Sequence, residues 1–160
     1  WYSINHTESK NEQQQEVFTL GFNHGCNPRN ATYAYIVVPG IHSARKMNNY
    51  RKSPVEILAN TDSMQIVRHT KLGIWQMVFY KEGTFRNGEL SVSVDKACAL
   101  MLKDGHSGNA ELHIADPGQT QSCIKVELLI PKISNERKTV LCDFRNTGIY
   151  AGASKAYKLF

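Results

Sequence analysis

The sequence predicts an all-β protein that folds as an antiparallel β-sandwich. Short runs in which apolar and polar residues alternate recur through the chain after Pro54, as in Leu90, Val92 and Val94 with serines between them. Turn residues such as Gly, Asn and Asp separate these runs. No segment has the apolar period of an amphipathic helix. Roughly seven or eight short strands with this punctuation are typical of two packed antiparallel sheets.

The first fifty residues contain one run that is apolar on both faces, residues 32–38. One face carries Tyr33, Tyr35 and Val37, which predicts a strand covered by protein on both sides. Residues 17–22 are predicted to pair with it across a loop, residues 23–30, in which His24 is interpreted as a polar turn residue. Buried packing is expected for the two tyrosines, and a platform for stacking sugars is the alternative.

Residues 41–54 are polar and basic and are predicted to form a linker, with a short helical turn possible over residues 44–49. The densest basic patch of the chain lies here, at Arg45, Lys46, Arg51 and Lys52. A solvated loop is the expected role of this patch, and an anion-binding surface is the alternative.

The strands predicted after Pro54 are residues 55–59, 64–68, 74–80, 90–94, 97–102, 110–114, 124–130 and 140–144. In the third of them Trp75, Met77 and Phe79 share one face, so they are expected in the core. Turns are predicted at Glu82-Gly83, Asn87-Gly88, Asp104-Gly105, Ser107-Gly108 and Asp116-Pro117-Gly118.

Two units are therefore predicted. Residues 1–50 are expected to be the last strands of a sheet that is incomplete within this sequence, because a doubly apolar strand needs layers on both sides. Residues 51–160 are expected to be a complete small sandwich.

Composition and charge exclude several classes of protein. The net charge of +5 and the pI near 9.0 favour anionic partners, but Lys and Arg are scattered and no nucleic-acid-binding motif is present, so no nucleic-acid partner is expected. The longest apolar run is too short to span a bilayer, so no membrane span is expected.

No cofactor or metal site is predicted either. Cys26, Cys98, Cys123 and Cys142 lack the spacing of a zinc site. The last three lie in strand-like runs and are expected to be free thiols, although three disulfide pairings are formally open. The carboxylates of Asp95, Asp104, Glu111 and Asp116 lack the order of a calcium loop, and His113 is expected on a solvated strand face.

Two stretches resemble polysaccharide lyase family 8, which includes the chondroitin, hyaluronate and xanthan lyases. They are FTLGFNHGCNPRNATYAYIVVPG at residues 18–40 and VEILANTDSMQIVRHTKLGIWQMVFY at residues 55–80. The resemblance implies a large protein with an N-terminal α-helical domain, a central β-sandwich region and a small C-terminal β-sandwich. Residues 1–50 would be the closing strands of the central supersandwich, and residues 51–160 the C-terminal lyase domain.

The resemblance also implies the activity of the parent protein, which is β-elimination at a uronic acid. A base removes the C5 proton, the carboxylate is neutralised and the C4 oxygen leaves. The family places the residues for these steps in the helical domain, so the resemblance implies no catalytic, cofactor-binding or metal residue here and no activity for this chain alone. The implied partners are the upstream helical domain and an acidic polysaccharide, and the implied location is extracellular or periplasmic. The alternatives are a free-standing carbohydrate-binding or adhesion module and a purely structural β-domain.

Overall fold

The computed structural model describes residues 2–12, 14, 16–50, 54–104, 109–145 and 152–160. The chain divides into two compact units, Trp1–Val38 and Pro39–Phe160. The predictions made for Arg51, Lys52, Gly105, Ser107 and Gly108 lie outside the described residues. The domain boundary between residues 50 and 51 stays a prediction.

The second unit contains one short helix and ten strands among its described residues. They are α1 (Ala44–Asn49), β1 (Val55–Asn60), β2 (Met64–His69), β3 (Ile74–Phe79), β4 (Gly83–Arg86), β5 (Ser91–Val94), β6 (Cys98–Asp104), β7 (Ala110–Ala115), β8 (Cys123–Leu129), β9 (Lys138–Asp143) and β10 (Lys155–Lys158).

The ten strands form two antiparallel sheets. The larger has the order β1-β2-β3-β6-β7-β10 and the smaller the order β4-β5-β8-β9. This arrangement confirms the predicted β-sandwich. All eight predicted strands after Pro54 are present, with their ends shifted by three residues or fewer.

The core lies between the two sheets and follows the predicted alternation. On β3 the side chains of Trp75, Met77 and Phe79 are at most 2% exposed, which confirms their predicted place. Burying each such side chain contributes about 1.5–3 kcal/mol relative to leaving it in water. Strands of both sheets complete the core with Leu100, Leu102, Leu112, Ile114, Val92, Val94, Val126 and Leu128.

One charged side chain closes the end of the core beside Trp75. Arg68 lies opposite Trp75 in the ladder between β2 and β3, and its guanidinium carbon is 4.5 Å from the centroid of the indole ring. Its Nη1 atom is 2.7 Å from Oε2 of Glu89, which precedes β5 of the other sheet. The indole Nε1 donates to Asp104 Oδ2 at 3.4 Å. The indole is therefore held by a cation above its face and a carboxylate at its edge.

Helix α1 confirms the helical turn predicted for the linker. The hydroxyl of Ser43 accepts a hydrogen bond from the N–H of Lys46 at 3.3 Å, which satisfies one of the free donors at the helix start. The helix buries none of its residues.

The first unit differs from its prediction. No strand is present among the described residues of Trp1–Val38, and Tyr33 and Tyr35 are 60% and 64% exposed. The predicted strands at 17–22 and 32–38 and the predicted burial of the two tyrosines are therefore wrong for this chain. The physical reason is that a pair of strands without further strands or a covering layer is only marginally stable in water.

The loop between these two segments does form the predicted turn. Gly25 and Asn27 adopt positive φ angles of 76° and 51°, a region that glycine and asparagine reach at low cost. The N–H of Gly25 donates to Asn23 Oδ1 at 2.8 Å. His24 lies exposed within this turn.

Candidate functional site

The described residues contain no cluster of three or more His, Cys, Asp or Glu side chains that could hold a metal ion. Asp116 is 5% exposed, and its carboxylate accepts hydrogen bonds from the N–H groups of Gly118 at 3.1 Å and Gln121 at 2.6 Å. It therefore shapes the predicted turn at residues 116–118. Asp95 accepts from the N–H of Lys125 at 2.8 Å, which ties the end of β5 to β8.

The prediction that His113 is solvated is wrong. Its side chain is only 23% exposed, and its Nε2 atom lies 3.1 Å from Oε1 of Glu111, two residues earlier on the same face of β7. The physical reason is that β7 is not an edge strand. Because β10 pairs with it, Ala156 lies directly opposite His113.

A shallow groove crosses the outer face of the larger sheet beside His113. Its volume is about 360 Å³, and it is lined mainly by Gln76, Val78, Ala99, Met101, His113 and Ser154. The lining is mostly apolar, and His113 is the single ionisable side chain among its described residues. An elimination reaction needs a base together with groups that neutralise a carboxylate, and this groove does not combine them.

Sequence reasoning did not predict this groove, although its signal was present. Residues 97–102 are apolar at every position and do not alternate with polar residues, so their strand has an apolar outer face as well as an apolar inner one. The outward residues Ala99 and Ala115 are small, and the hollow between larger neighbours follows from their size.

The cysteines are free thiols, as predicted for the three in strands. Cys98 and Cys142 are buried, Cys123 is half-buried and Cys26 is exposed. Burial, helped by the nearby carboxylates of Asp95 and Asp116, raises the pKa of Cys98 to about 12. Because the thiolate is the reactive form, Cys98 is chemically inert in the folded chain.

The cysteines give a direct test of this core. At pH 8 an alkylating reagent should modify Cys26 within minutes and leave Cys98 unmodified. The side chain of Cys98 is buried, and pH 8 lies far below its pKa of about 12, so almost no thiolate is present. Unfolding the chain in denaturant should expose Cys98 and return its pKa towards the ordinary value, so that both peptides are labelled. Peptide mapping by mass spectrometry reads each site. Rapid labelling of Cys98 in the folded chain would contradict the burial described above.

Burial also raises the pKa of Tyr157 to about 12, and its side chain is hydrogen-bonded to that of Cys142. Tyr157 lies on β10 at the edge of the larger sheet and Cys142 on β9 at the edge of the smaller one. The pair therefore joins the two sheets along one side of the sandwich.

The basic residues of α1 and the aromatic residues of the first unit, both considered as binding surfaces from the sequence, are exposed. Arg45 and Lys46 lie on α1 and are exposed, as a solvated segment requires. In the first unit the rings of Phe22 and Tyr33 stack with centroids 5.1 Å apart, and Tyr35 lies 6.1 Å from Phe22. These three rings form an exposed aromatic cluster.

Two family models match the chain in succession. The model of the polysaccharide lyase family 8 super-sandwich domain matches residues 1–51, and the model of the family's C-terminal β-sandwich domain matches residues 56–125. The chain belongs to polysaccharide lyase family 8. The second match covers strands β1 to β7 of the sandwich described above.

Individual relatives agree with this assignment. Chondroitinase-AC of Pedobacter heparinus is 38% identical over 121 residues, which are 76% of this chain and 17% of the relative. A hyaluronate lyase of Thermasporomyces composti is 28% identical over 130 residues, 79% of this chain and 16% of the relative. The chain thus spans about a sixth of the length of these lyases.

A solved structure of chondroitinase AC lyase, from a study of its complexes with oligosaccharides, has the same fold. The TM-score is 0.77 at 34% identity, over 98% of this chain and 23% of that one. Among the described residues of the present chain, no helix is long and apolar enough to cross a membrane.

Proposed function

We propose that this chain is the C-terminal, non-catalytic portion of a secreted polysaccharide lyase that cleaves uronic-acid-containing glycosaminoglycans, chondroitin or hyaluronan, by β-elimination. One observation carries the proposal. Two domains of a lyase family match in order along a chain that spans only about a sixth of its lyase relatives.

The chemistry of the described surfaces supports a structural role for this portion. Proton abstraction beside a carboxylate needs a positioned base and cationic or hydrogen-bonding groups that stabilise the new negative charge. The outer groove offers one imidazole, and the carboxylates of Asp116 and Asp95 are engaged in a turn and at a strand end. In the proposed parent protein the sandwich braces the upstream α-helical catalytic domain and forms one wall of its cleft.

An extracellular or periplasmic location belongs to the same proposal. A polymeric, highly charged substrate cannot cross a bilayer unaided, since moving charge into hydrocarbon is strongly unfavourable. An enzyme that depolymerises it must therefore be exported.

The experiment that tests the proposal is the intact mass and N-terminal sequence of the natural gene product. We expect a polypeptide several times longer than 160 residues with a helix-rich upstream half. A mature natural protein that begins at Trp1 and ends at Phe160 would overturn the proposal.

The exposed aromatic cluster favours one second candidate, a free-standing carbohydrate-binding or adhesion module. Tyr33 and Tyr35 are more than half exposed, and exposed rings can stack on sugars. In that case the chain alone would bind chondroitin or hyaluronan in calorimetry, and Tyr33→Ala with Tyr35→Ala would abolish binding. Tyr80→Ala is the matched control, since Tyr80 is 53% exposed but belongs to the second unit.

A further inference from the structure

Most of the net positive charge of the chain comes from residues 130–160. This stretch contains six Lys and Arg side chains and two carboxylates, which give +4 of the net charge of +5. All six cationic residues are described, and all except Lys155 are exposed. A concentration of one sign of charge in one part of a fold creates a local potential that attracts molecules of the opposite charge.

The arrangement of β9 and β10 brings these cations together. The two strands are edge strands of different sheets, and they are joined along one side of the sandwich. At one end Lys155 Nζ donates to the carbonyl oxygen of Asp143. At the other end Lys138 Nζ lies 5.8 Å from the centroid of the Phe160 ring, and the tyrosine–cysteine hydrogen bond described above joins the middle of the two strands. The strands therefore run antiparallel, with the cations of both along the same side.

This side of the sandwich forms an elongated basic surface. It follows residues 137–145, which at about 3.4 Å per residue makes it about 27 Å long. Two carboxylates accompany it, since Glu136 adjoins one end and Asp143 lies within it. We call its cationic residues the basic seam, which consists of Arg137, Lys138, Arg145, Lys155 and Lys158.

Part of the basic seam has no acidic partner. Asp143 neutralises Arg145 through a contact of 2.6 Å. Glu111 lies opposite Lys158 in the ladder, but its carboxylate contacts a histidine ring on its own strand at 3.1 Å. None of the ion pairs formed among the described residues involves Lys138 or Lys158. The ammonium groups of these two lysines are therefore available to an external anion.

An aromatic ring lies beside these two lysines. The Phe160 side chain is 38% exposed, and its distance from Lys138 Nζ is within the range of a cation–π contact. Lys158 is two positions from Phe160 along the chain, a separation of about 7 Å in extended backbone. Two cations beside an exposed ring match the chemistry of a sugar acid, which offers a carboxylate to the cations and an apolar C–H face to the ring.

We propose that the basic seam binds the polyanionic polysaccharide, with Lys138 and Lys158 contacting its carboxylates. The choice of this partner rests on the proposed function, because the substrates proposed there carry a carboxylate on every second sugar. Cations that are spaced along two extended strands suit an extended chain with regularly spaced charges. In the proposed parent protein the seam holds the polymer close to the enzyme and so raises its effective concentration.

The arginines of the seam disfavour a phosphate-bearing partner such as nucleic acid or an anionic membrane. Phosphate groups are bound best by the paired N–H donors of arginine. One of the two arginines of the seam, Arg145, already directs its donors to the Asp143 carboxylate. The unpaired cations are lysines, which act as point charges and bind carboxylates equally well.

Calorimetry of the 160-residue chain with hyaluronan tests this inference. Lys138→Ala combined with Lys158→Ala removes the two unpaired ammonium groups of the seam. Lys71→Ala combined with Lys81→Ala is the matched control, because these two lysines are exposed and removing them changes the net charge equally. Lys138→Arg combined with Lys158→Arg keeps the charge of the seam.

We expect the parent chain to bind hyaluronan and the seam alanine variant to bind it about fivefold more weakly or worse, since each exposed charge contact contributes modestly. The control variant and the arginine variant should keep their affinity within about twofold. Raising sodium chloride from about 50 mM to about 200 mM should weaken binding of the parent chain strongly, because salt screens exposed charges. Tyr33→Ala combined with Tyr35→Ala should leave this binding unchanged.

Four results would overturn the inference. They are the absence of binding by the parent chain, equal losses in the seam and control variants, loss of binding in the tyrosine variant, and tighter binding to a DNA duplex or to anionic phospholipid vesicles than to hyaluronan. The first would leave the lysines with the role of blocking edge-to-edge pairing of β9 and β10. Because only the 160-residue chain is used, each of these results leaves the proposed function standing, which the length of the natural gene product tests separately.

Discussion

Replacing Trp75 with alanine should lower the free energy of unfolding of this chain by about 3–5 kcal/mol, the range for removing a large buried aromatic side chain. The indole is 2% exposed and fills the centre of one end of the core. Its removal would leave a cavity. It would also remove the cation–π contact with the Arg68 guanidinium and the hydrogen bond that the indole N–H donates to the Asp104 carboxylate. The loss is a large fraction of the stability of an ordinary domain.

Urea denaturation followed by far-ultraviolet circular dichroism measures this loss without using tryptophan fluorescence. Gln76→Ala is the matched control, because Gln76 is the next residue on the same strand and is exposed. Its effect should stay within about 0.5 kcal/mol. If Trp75→Ala were no more destabilising than Gln76→Ala, the core described here would be wrong.

Gly73→Ala should be the second most damaging change, because both the backbone conformation of Gly73 and the space around it oppose a side chain. Gly73 has a φ of +60°, and an added Cβ would lie 2.2 Å from Asp104 Oδ1 and 2.8 Å from the backbone oxygen of Asp104. The positive φ alone costs a residue such as alanine about 1–2 kcal/mol. The clash adds to this cost, since the hydrogen bond from the N–H of Asp104 to the Gly73 carbonyl, at 2.8 Å, holds the two backbones together.

Gly88→Ala separates the two contributions. Gly88 has a φ of +86°, and an added Cβ there meets nothing within 4 Å, so it carries the cost of the backbone conformation alone. In urea denaturation Gly73→Ala should be clearly more destabilising than Gly88→Ala. Equal losses would show that the close approach of Asp104 to Gly73 has no energetic weight.

The sandwich could be predicted from sequence because its strands are specified locally. In β5 and β8 the alternation of apolar and polar residues matches the pleat, so the inner and outer faces can be assigned from the sequence alone. Strands β4 and β10 were missed because each has four residues and few apolar ones. Phe85 is the one buried side chain of β4, and pairing with β7 stabilises β10.

Other features depend on the neighbours of a segment, which a local pattern does not contain. The alternating pattern of β7 predicted that the side chain of His113 faces solvent. The pairing of β10 with β7 leaves its ring half-buried instead. The doubly apolar run at residues 32–38 predicted a covered strand, but no described strand pairs with this run and its tyrosines are exposed. The apolar groove on the outer face of the larger sheet likewise emerged only once the register had aligned Val78, Ala99 and Ala115.

The measurement that tests the central claim most directly is product formation by the natural gene product and by this 160-residue chain, assayed side by side on chondroitin and hyaluronan. The unsaturated uronic acid left by β-elimination absorbs in the ultraviolet and reports the reaction directly. We expect product from the natural protein and none above background from the chain alone, because the groove beside His113 does not combine a base with carboxylate-neutralising groups among its described lining residues. Unsaturated product formed by the purified 160-residue chain would contradict the account.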